Sequence, residues 1–128
     1  MRHLDFVSRL PDPHTVPLEQ TADLQQAVNA LCAYNAVITR RKVEAASVDA
    51  VREATGLTKT SVRRQAKLGA ALETLEQLQR AALSGKVDAD TATIIGKHPD
   101  AETALLKTAT TLGADALRKH VAQMRRHT

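Results

Sequence analysis

The chain has 128 residues, of which 43% are hydrophobic, so its length suits one domain with one core. Its net charge of +4 and its isoelectric point near 9.6 favour a polyanionic partner. A single cysteine excludes a disulfide framework and a cysteine-based metal site. With no tryptophan, one tyrosine and one phenylalanine, the chain also lacks an aromatic platform for single-stranded bases. The abundance of Leu and Ala favours an all-α domain.

Residues 1–20 are predicted to form a proline-rich arm in front of a helical domain that spans residues 21–128. Pro11, Pro13 and Pro17 are three of the four prolines of the chain and interrupt any regular element there. The apolar side chains of the arm can dock on the domain or on a second subunit: Leu4, Phe6, Val7 and Leu10. The alternative is a segment that is disordered or simply packed.

The longest helix is predicted from Thr21 onward, because residues that suit one helix face recur there at intervals of three and four. They are Leu24, Ala27, Val28, Leu31, Tyr34, Asn35 and Ile38. Cys32 takes an apolar position in this helix and is expected to be buried and inert. The basic triplet at residues 40–42 either complements the helix dipole near the C-terminal end or supplies a phosphate contact from Arg41.

The stretch Ala54–Leu72 predicts a helix-turn-helix. Ser47 is suited to cap a short first helix, and Gly56 is placed to end it in the left-handed conformation. Leu57 is then expected to point inward. Thr58 is an acceptable N-cap for the second helix, because its hydroxyl can accept a backbone N–H from the first turn.

The second helix is predicted to have separate basic and apolar sides. No acidic residue lies between Glu53 and Glu73, whereas four cations do. At about 100° of rotation per residue, one side carries Lys59, Thr60, Arg63 and Lys67, and the other carries Val62, Gln65, Gly69 and Leu72. A helix of this kind, set at an angle by a glycine turn, fits the major groove of DNA.

We assign a role to each candidate DNA-binding residue. Lys59, Thr60 and Arg63 are expected to face bases or the groove. Arg64, Lys67 and Arg41 are expected to hold phosphates. The competing interpretation is a solvated helix that carries Lys and Arg for solubility, after an ordinary connection between two helices.

The remaining pattern predicts three or four more helical segments. The second helix is expected to continue as one long helix through Leu83, with a possible kink near Gly69. Asp88 caps a short helix, and the next one begins near Pro99 and is stopped by Gly113. A final helix opens at residue 115 with a basic outer side. The whole pattern predicts an all-α, single-domain bundle of six to seven helices.

No catalytic or metal-binding constellation is recognisable in the sequence. The five histidines are spread along the chain without metal-ligand spacing, and the glycines form no phosphate-binding loop. Pairs of carboxylates at helix starts are explained by the helix dipole. We therefore expect no enzyme activity, no metal or cofactor and no small-molecule substrate, with double-stranded DNA as the preferred partner.

Several short motifs lie along the helical part of the chain: Thr55-Gly56-Leu57-Thr58, Arg63-Arg64, Leu68, Ala71-Leu72, Leu83-Ser84-Gly85-Lys86-Val87 and Leu112-Gly113-Ala114-Asp115-Ala116-Leu117-Arg118. Together they resemble an uncharacterised all-helical domain that is found upstream of HNH endonuclease modules in actinobacterial proteins. The resemblance covers roughly residues 22–122. It implies an all-helical fold and an association with DNA-acting proteins. An HNH metal site would have to follow Thr128, so the chain is expected to be either a fragment or a stand-alone binder.

The predicted elements follow one another in a fixed order: the helix-turn-helix, the segment Gly85-Lys86-Val87-Asp88 before a short helix, an acidic-led helix and a closing Leu-Arg helix. This order is similar to the DNA-binding core of ParB-type and KorB-type partition proteins. The spacing from Arg63 to Gly85 is longer than in that group, and its Leu-Pro break is missing. Both resemblances imply DNA as the partner.

The sequence therefore predicts a double-stranded DNA-binding helix-turn-helix protein that acts as a homodimer. It would serve as a regulator or as the targeting module of a mobile-element or nuclease system. The alternative is a helical interaction module that binds another polypeptide through residues 24–38 or through the arm. The absence of an apolar run of about 18 residues and of a signal-peptide core predicts a soluble cytoplasmic protein with no membrane partner.

Overall fold

Seven α-helices joined by short turns make up the computed structural model, which describes residues 9–126 and has no strand in that range. They are α1 (Leu18–Ala45), α2 (Val48–Thr55), α3 (Lys59–Thr74), α4 (Glu76–Leu83), α5 (Ala89–Gly96), α6 (Glu102–Leu112) and α7 (Ala114–Arg126). Short 3-10 helices cover Pro13–Thr15 and Pro99–Ala101. The prediction of an all-α bundle of six to seven helices is confirmed.

The helix α1 begins earlier than the sequence pattern predicts. It starts at Leu18, directly after Pro17, and continues through the basic triplet to Ala45. The end of the predicted arm is therefore helical, and Asp12 caps the 3-10 helix in front of it by accepting a hydrogen bond from the backbone N–H of His14 at 3.0 Å. Three of the arm's predicted docking residues lie outside the described part of the chain: Leu4, Phe6 and Val7.

The closest helix pair in the core is α1 with α3. Ala33 and Ala36 of α1 are buried, and Gly69 of α3 lies against Ala36. A Cβ atom built on Gly69 would collide with the backbone carbonyl oxygen of Ala36, so the two backbones touch where a side chain would otherwise stand. The rest of the core is filled by larger side chains from α3 to α7, chiefly Leu72, Leu78, Ile95, Leu105 and Leu117.

This close crossing turns the large apolar side chains of α1 away from the core. They are 38% to 59% exposed and form what we call the outer face of α1: Leu24, Val28, Leu31, Tyr34 and Ile38. Cys32 is exposed as well, so the expectation of a buried thiol is wrong. Only small side chains fit between α1 and α3 where they cross at Gly69. The helix α1 is about 42 Å long, which is enough to cross a bilayer. It is not apolar enough, and no other helix among the described residues is both long and apolar enough to do so.

The prediction that the second helix of the helix-turn-helix continues as one long helix through Leu83 is also wrong. The chain breaks at Leu75, whose extended backbone (φ −101°, ψ 96°) separates α3 from α4 while its side chain stays buried. Glu102 at the start of α6 accepts a hydrogen bond from the backbone N–H of Leu78 at 2.9 Å. This carboxylate satisfies one of the free donors in the first turn of α4.

Candidate nucleic-acid interface

The turn between α2 and α3 is built by the three residues that the sequence assigned to it. The hydroxyl of Ser47 accepts the backbone N–H of Ala50 at 3.0 Å and caps α2. Gly56 ends α2 in the left-handed conformation with φ 76°. The hydroxyl of Thr58 accepts the backbone N–H of Ser61 at 3.1 Å and caps α3. These three predictions are confirmed, and α2 and α3 are therefore separated by a short, defined turn.

Leu57 does not point inward as predicted. It is exposed, and its backbone N–H donates to the hydroxyl of Thr55 at 3.2 Å. The buried apolar residues nearest the turn are Val51 on α2 and Val62 on α3. The turn is thus held by hydrogen bonds between its own residues, without a buried leucine side chain at position 57.

The two sides of α3 are separate, as predicted. Val62, Gly69 and Leu72 are buried on one side. Gln65, on the same side, accepts hydrogen bonds from Asn35 and Thr39 of α1, both at 3.1 Å. The opposite side is exposed along its whole length and carries Lys59, Thr60, Arg63, Arg64 and Lys67.

Three of these cations have no partner within the described part of the protein. Arg63, Arg64 and Lys67 take part in no ion pair or side-chain hydrogen bond with residues 9–126. Lys59 lies 3.8 Å from a carboxylate oxygen of Asp49, and both side chains are about half exposed or more. An exposed pair of this kind stabilises by only about 0–1 kcal/mol, so it can be exchanged for a phosphate contact.

Arg41 is the one predicted site residue that the fold sets apart from the others. Its Nε lies 3.1 Å from a carboxylate oxygen of Glu73, near the end of α3. Glu73 lies six residues beyond Lys67, which is about 9 Å along the helix axis. Arg41 is therefore paired with a carboxylate through an exposed side chain, and its role as a phosphate contact stays a prediction.

A cleft of about 810 Å³ lies beside the cationic side of α3. Arg63, Arg64 and Lys67 line it from α3, and Lys97 lines it from the end of α5. The floor is made largely of small and apolar residues, and no acidic residue is among those that line it. The cleft therefore presents positive charge from two separate helices.

Lys97 reaches this cleft because α5 ends against α3. A Cβ atom built on Gly96 would lie 3.0 Å from the Cβ of Ala71, so the two helices touch at this point. Lys97 also lines a smaller cleft together with Arg118 and Arg125 of α7. Arg118 is paired with Asp115 of its own helix, with 3.6 Å between Nη1 and Oδ1 of two exposed side chains. The result is what we call the basic band: Arg63, Arg64, Lys67, Lys97, Arg118 and Arg125.

The sequence analysis missed Lys97 for a simple reason. It follows a short helix and is thirty positions from Lys67, and its own neighbours in the sequence form no basic run. Only the contact between Gly96 and Ala71 brings it to α3. No local signal in the sequence would have found it.

The arrangement offers cationic and hydroxyl groups that suit phosphate binding. Within residues 9–126, no group of three or more His, Cys, Asp and Glu side chains gathers in a way that could hold a metal ion. The ring of His120 contacts the hydroxyl of Thr108, with 2.9 Å between Nδ1 and Oγ1, and neither residue lines the cleft beside α3. Binding of a polyanion is thus the chemistry that this surface supports.

The chain was compared with protein-family models, with curated proteins and with solved structures, and none of the three comparisons found a match. The resemblances to the domain upstream of HNH modules and to partition proteins therefore stay predictions. What this surface can do has to be argued from its own geometry.

Proposed function

We propose that the protein binds double-stranded DNA, with α3 in the major groove and the basic band along the phosphates. The observation that carries this proposal is the group of three exposed cations on α3, Arg63, Arg64 and Lys67, which have no carboxylate partner among the described residues. A protein surface normally intersperses charges of both signs. A one-sided cationic helix beside a further cation therefore favours a polyanionic partner.

The roles of the residues follow from their positions along α3. The N-terminal residues of a recognition helix reach base edges, which assigns this role to Lys59, Thr60 and Arg63. Arg64, Lys67 and Lys97 flank them and would contact phosphates. A bidentate contact from Arg63 to guanine is the contact with the most sequence information.

A duplex is favoured over single-stranded nucleic acid. Single strands are held by aromatic side chains on which the bases stack. The single tyrosine, Tyr34, belongs to the outer face of α1, on the side of that helix opposite to the one that packs on α3. The cationic side of α3 has no aromatic residue.

The proposed role is that of a regulator or of the DNA-targeting module of a mobile-element or nuclease system, without catalysis of its own. The resemblance to the domain upstream of HNH modules supports this role, and so does the polyanion-binding chemistry of the surface. A cytoplasmic location belongs to the same proposal, because a single cysteine is typical of a reducing compartment. A homodimer would present two copies of α3 to two half-sites.

The test is binding of a labelled duplex, selected from a random library, measured by fluorescence anisotropy over a range of salt concentrations. Arg63→Ala should weaken binding by about 1–3 kcal/mol. Lys67→Ala should lower the slope of log affinity against log salt by about 1 with little change in sequence preference. Lys107→Ala is the matched control, since Lys107 is exposed on α6 and lies outside the basic band. Equal affinity of wild type, Arg63→Ala and Lys67→Ala would discredit the proposal.

The second candidate function is an adaptor that binds another polypeptide without DNA. It is favoured by one observation, the exposed outer face of α1. Retention on heparin at low salt, lost as salt is raised, distinguishes the two candidates because only the DNA-binding function requires release of counterions from a polyanion.

A further inference from the structure

The outer face of α1 reverses the usual arrangement of a surface helix. Such a helix normally turns its large apolar residues to the core and its small or polar ones to solvent. Here Ala33 and Ala36 face the core, whereas Leu31 and Tyr34 are 53% and 59% exposed on the opposite side. The outer face extends about 21 Å along the helix. A contiguous apolar surface of this kind marks a site of association.

The spacing of the outer face fits a partner helix. Leu24, Val28, Leu31, Asn35 and Ile38 follow one another at intervals of four, three, four and three residues. This is the spacing of the seam between two packed helices. Asn35 is the polar position of the seam, and its amide nitrogen donates a hydrogen bond to the side-chain oxygen of Gln65 in the same chain at 3.1 Å. The other four positions offer branched apolar side chains to a helix of the same pattern.

The charges on α1 indicate which helix that is. The first half of α1, residues 18–31, carries Glu19 and Asp23, a net charge of −2. The second half, residues 32–45, carries three cations at positions 40–42 and one carboxylate at Glu44, a net charge of +2. Arg40 pairs with Glu44 and Arg41 with Glu73, so Lys42 is the cation of this half that is left for a second copy. A second copy of α1 in the opposite direction places each negative half against a positive half. A parallel copy would place like charges together.

We propose that two copies of this chain associate through the outer faces of their α1 helices, antiparallel about a two-fold axis at Leu31. In this register Leu31 meets Leu31 of the second copy, and Leu24 meets the second copy's Ile38. The interface is isologous, since each pair occurs twice. Asp23 then lies within about one helical turn of the second copy's Lys42. The proposal rests on the homodimer in the proposed function and does not depend on DNA.

Sedimentation equilibrium of the full chain without DNA tests this interface. We expect a concentration-dependent equilibrium between monomer and dimer. Leu31→Asp places two carboxylates at the two-fold axis and should raise the dimer dissociation constant at least about 30-fold, the loss typical of one hot-spot residue. Leu112→Asp is the matched control, because Leu112 is 72% exposed on α6 and should leave the dimer unchanged.

Circular dichroism keeps a folding defect separate from the loss of the interface. Leu31 is exposed in the single chain, so Leu31→Asp should keep the far-ultraviolet circular dichroism of the wild type.

The antiparallel orientation is tested by charge reversal. Asp23→Lys and Lys42→Glu should each weaken the dimer, and the double variant should restore it. In a parallel pair the double variant would restore nothing.

A wild type that stays monomeric at every concentration would overturn the proposal, and so would a Leu31→Asp variant that dimerises as the wild type does. Monomeric behaviour would mean that a different occupant covers the outer face, such as residues 1–8 or another protein. Because no DNA is present, these outcomes are independent of duplex binding. A monomer that still binds the duplex would disprove only the interface, and a dimer without duplex affinity would disprove only the DNA-binding function.

Discussion

Gly69 of α3 lies against the backbone carbonyl of Ala36 of α1, so closely that no side chain can stand between the two helices. A Cβ atom at position 69 would also come within 2.7 Å of the Cβ of Arg40. Neither neighbour can move by changing a side-chain rotamer alone, because one is backbone and the other is the first side-chain atom. The position therefore fixes the distance between the two longest helices.

Gly69→Ala is expected to destabilise the protein although alanine is the better helix former. Overpacking costs about 1–3 kcal/mol, which exceeds the gain of up to about 1 kcal/mol in helix propensity. Urea unfolding followed by circular dichroism measures the difference. Lys67→Ala, on the exposed side of the same helix, should stay within about 0.5 kcal/mol of the wild type. A Gly69→Ala variant as stable as the wild type would show that α1 and α3 can separate without cost.

The cap of α3 gives a second prediction. Thr58→Ala removes the acceptor for the backbone N–H of Ser61 and should lower the free energy of unfolding by about 1 kcal/mol. Thr58→Ser keeps a hydroxyl at the same place and should retain most of that stability. If the alanine and serine variants unfold at the same urea concentration, the capping hydrogen bond contributes nothing to stability.

The exposed thiol of Cys32 gives a third prediction. Because Cys32 lies on the surface of α1, the native protein should react with Ellman's reagent without denaturant, with one thiol per chain. Its rate should match that of the unfolded chain within about tenfold. If the thiol of the monomer, at concentrations below the dimer dissociation constant, reacts only after unfolding, the side of α1 that carries Cys32 must be buried in the fold.

The sequence predicted well what neighbouring residues decide among themselves. Ser47, Gly56 and Thr58 act on backbone groups within three or four positions, so their roles could be inferred from residue type alone. The separation of the two sides of α3 followed from helical periodicity in the same way. The all-α class followed from composition.

Contacts between distant parts of the chain explain the features that the sequence did not predict. The helix that starts after the break at Leu75 is capped by the carboxylate of Glu102, which belongs to another helix. The side of α1 that is buried depends on Gly69, because a close crossing selects alanines over leucines whatever the hydrophobic pattern favours. Lys97 joins the candidate site only through the contact of Gly96 with Ala71. Helical periodicity shows which residues lie on the same side of a helix. It does not show which of these sides another helix packs against.

Lys97 gives the last prediction, because it distinguishes a surface that follows the DNA backbone from a single cationic helix. If the basic band continues from α3 to the end of α5, Lys97→Ala should lower the slope of log affinity against log salt by about 1. Preference among duplex sequences should stay the same, since a phosphate contact carries no base information. Lys107→Ala, outside the band, should keep the wild-type slope. An unchanged slope for Lys97→Ala would confine the DNA contact to α3. It would also remove Arg118 and Arg125 from the proposed interface, because Lys97 is the residue that joins their cleft to the cleft beside α3.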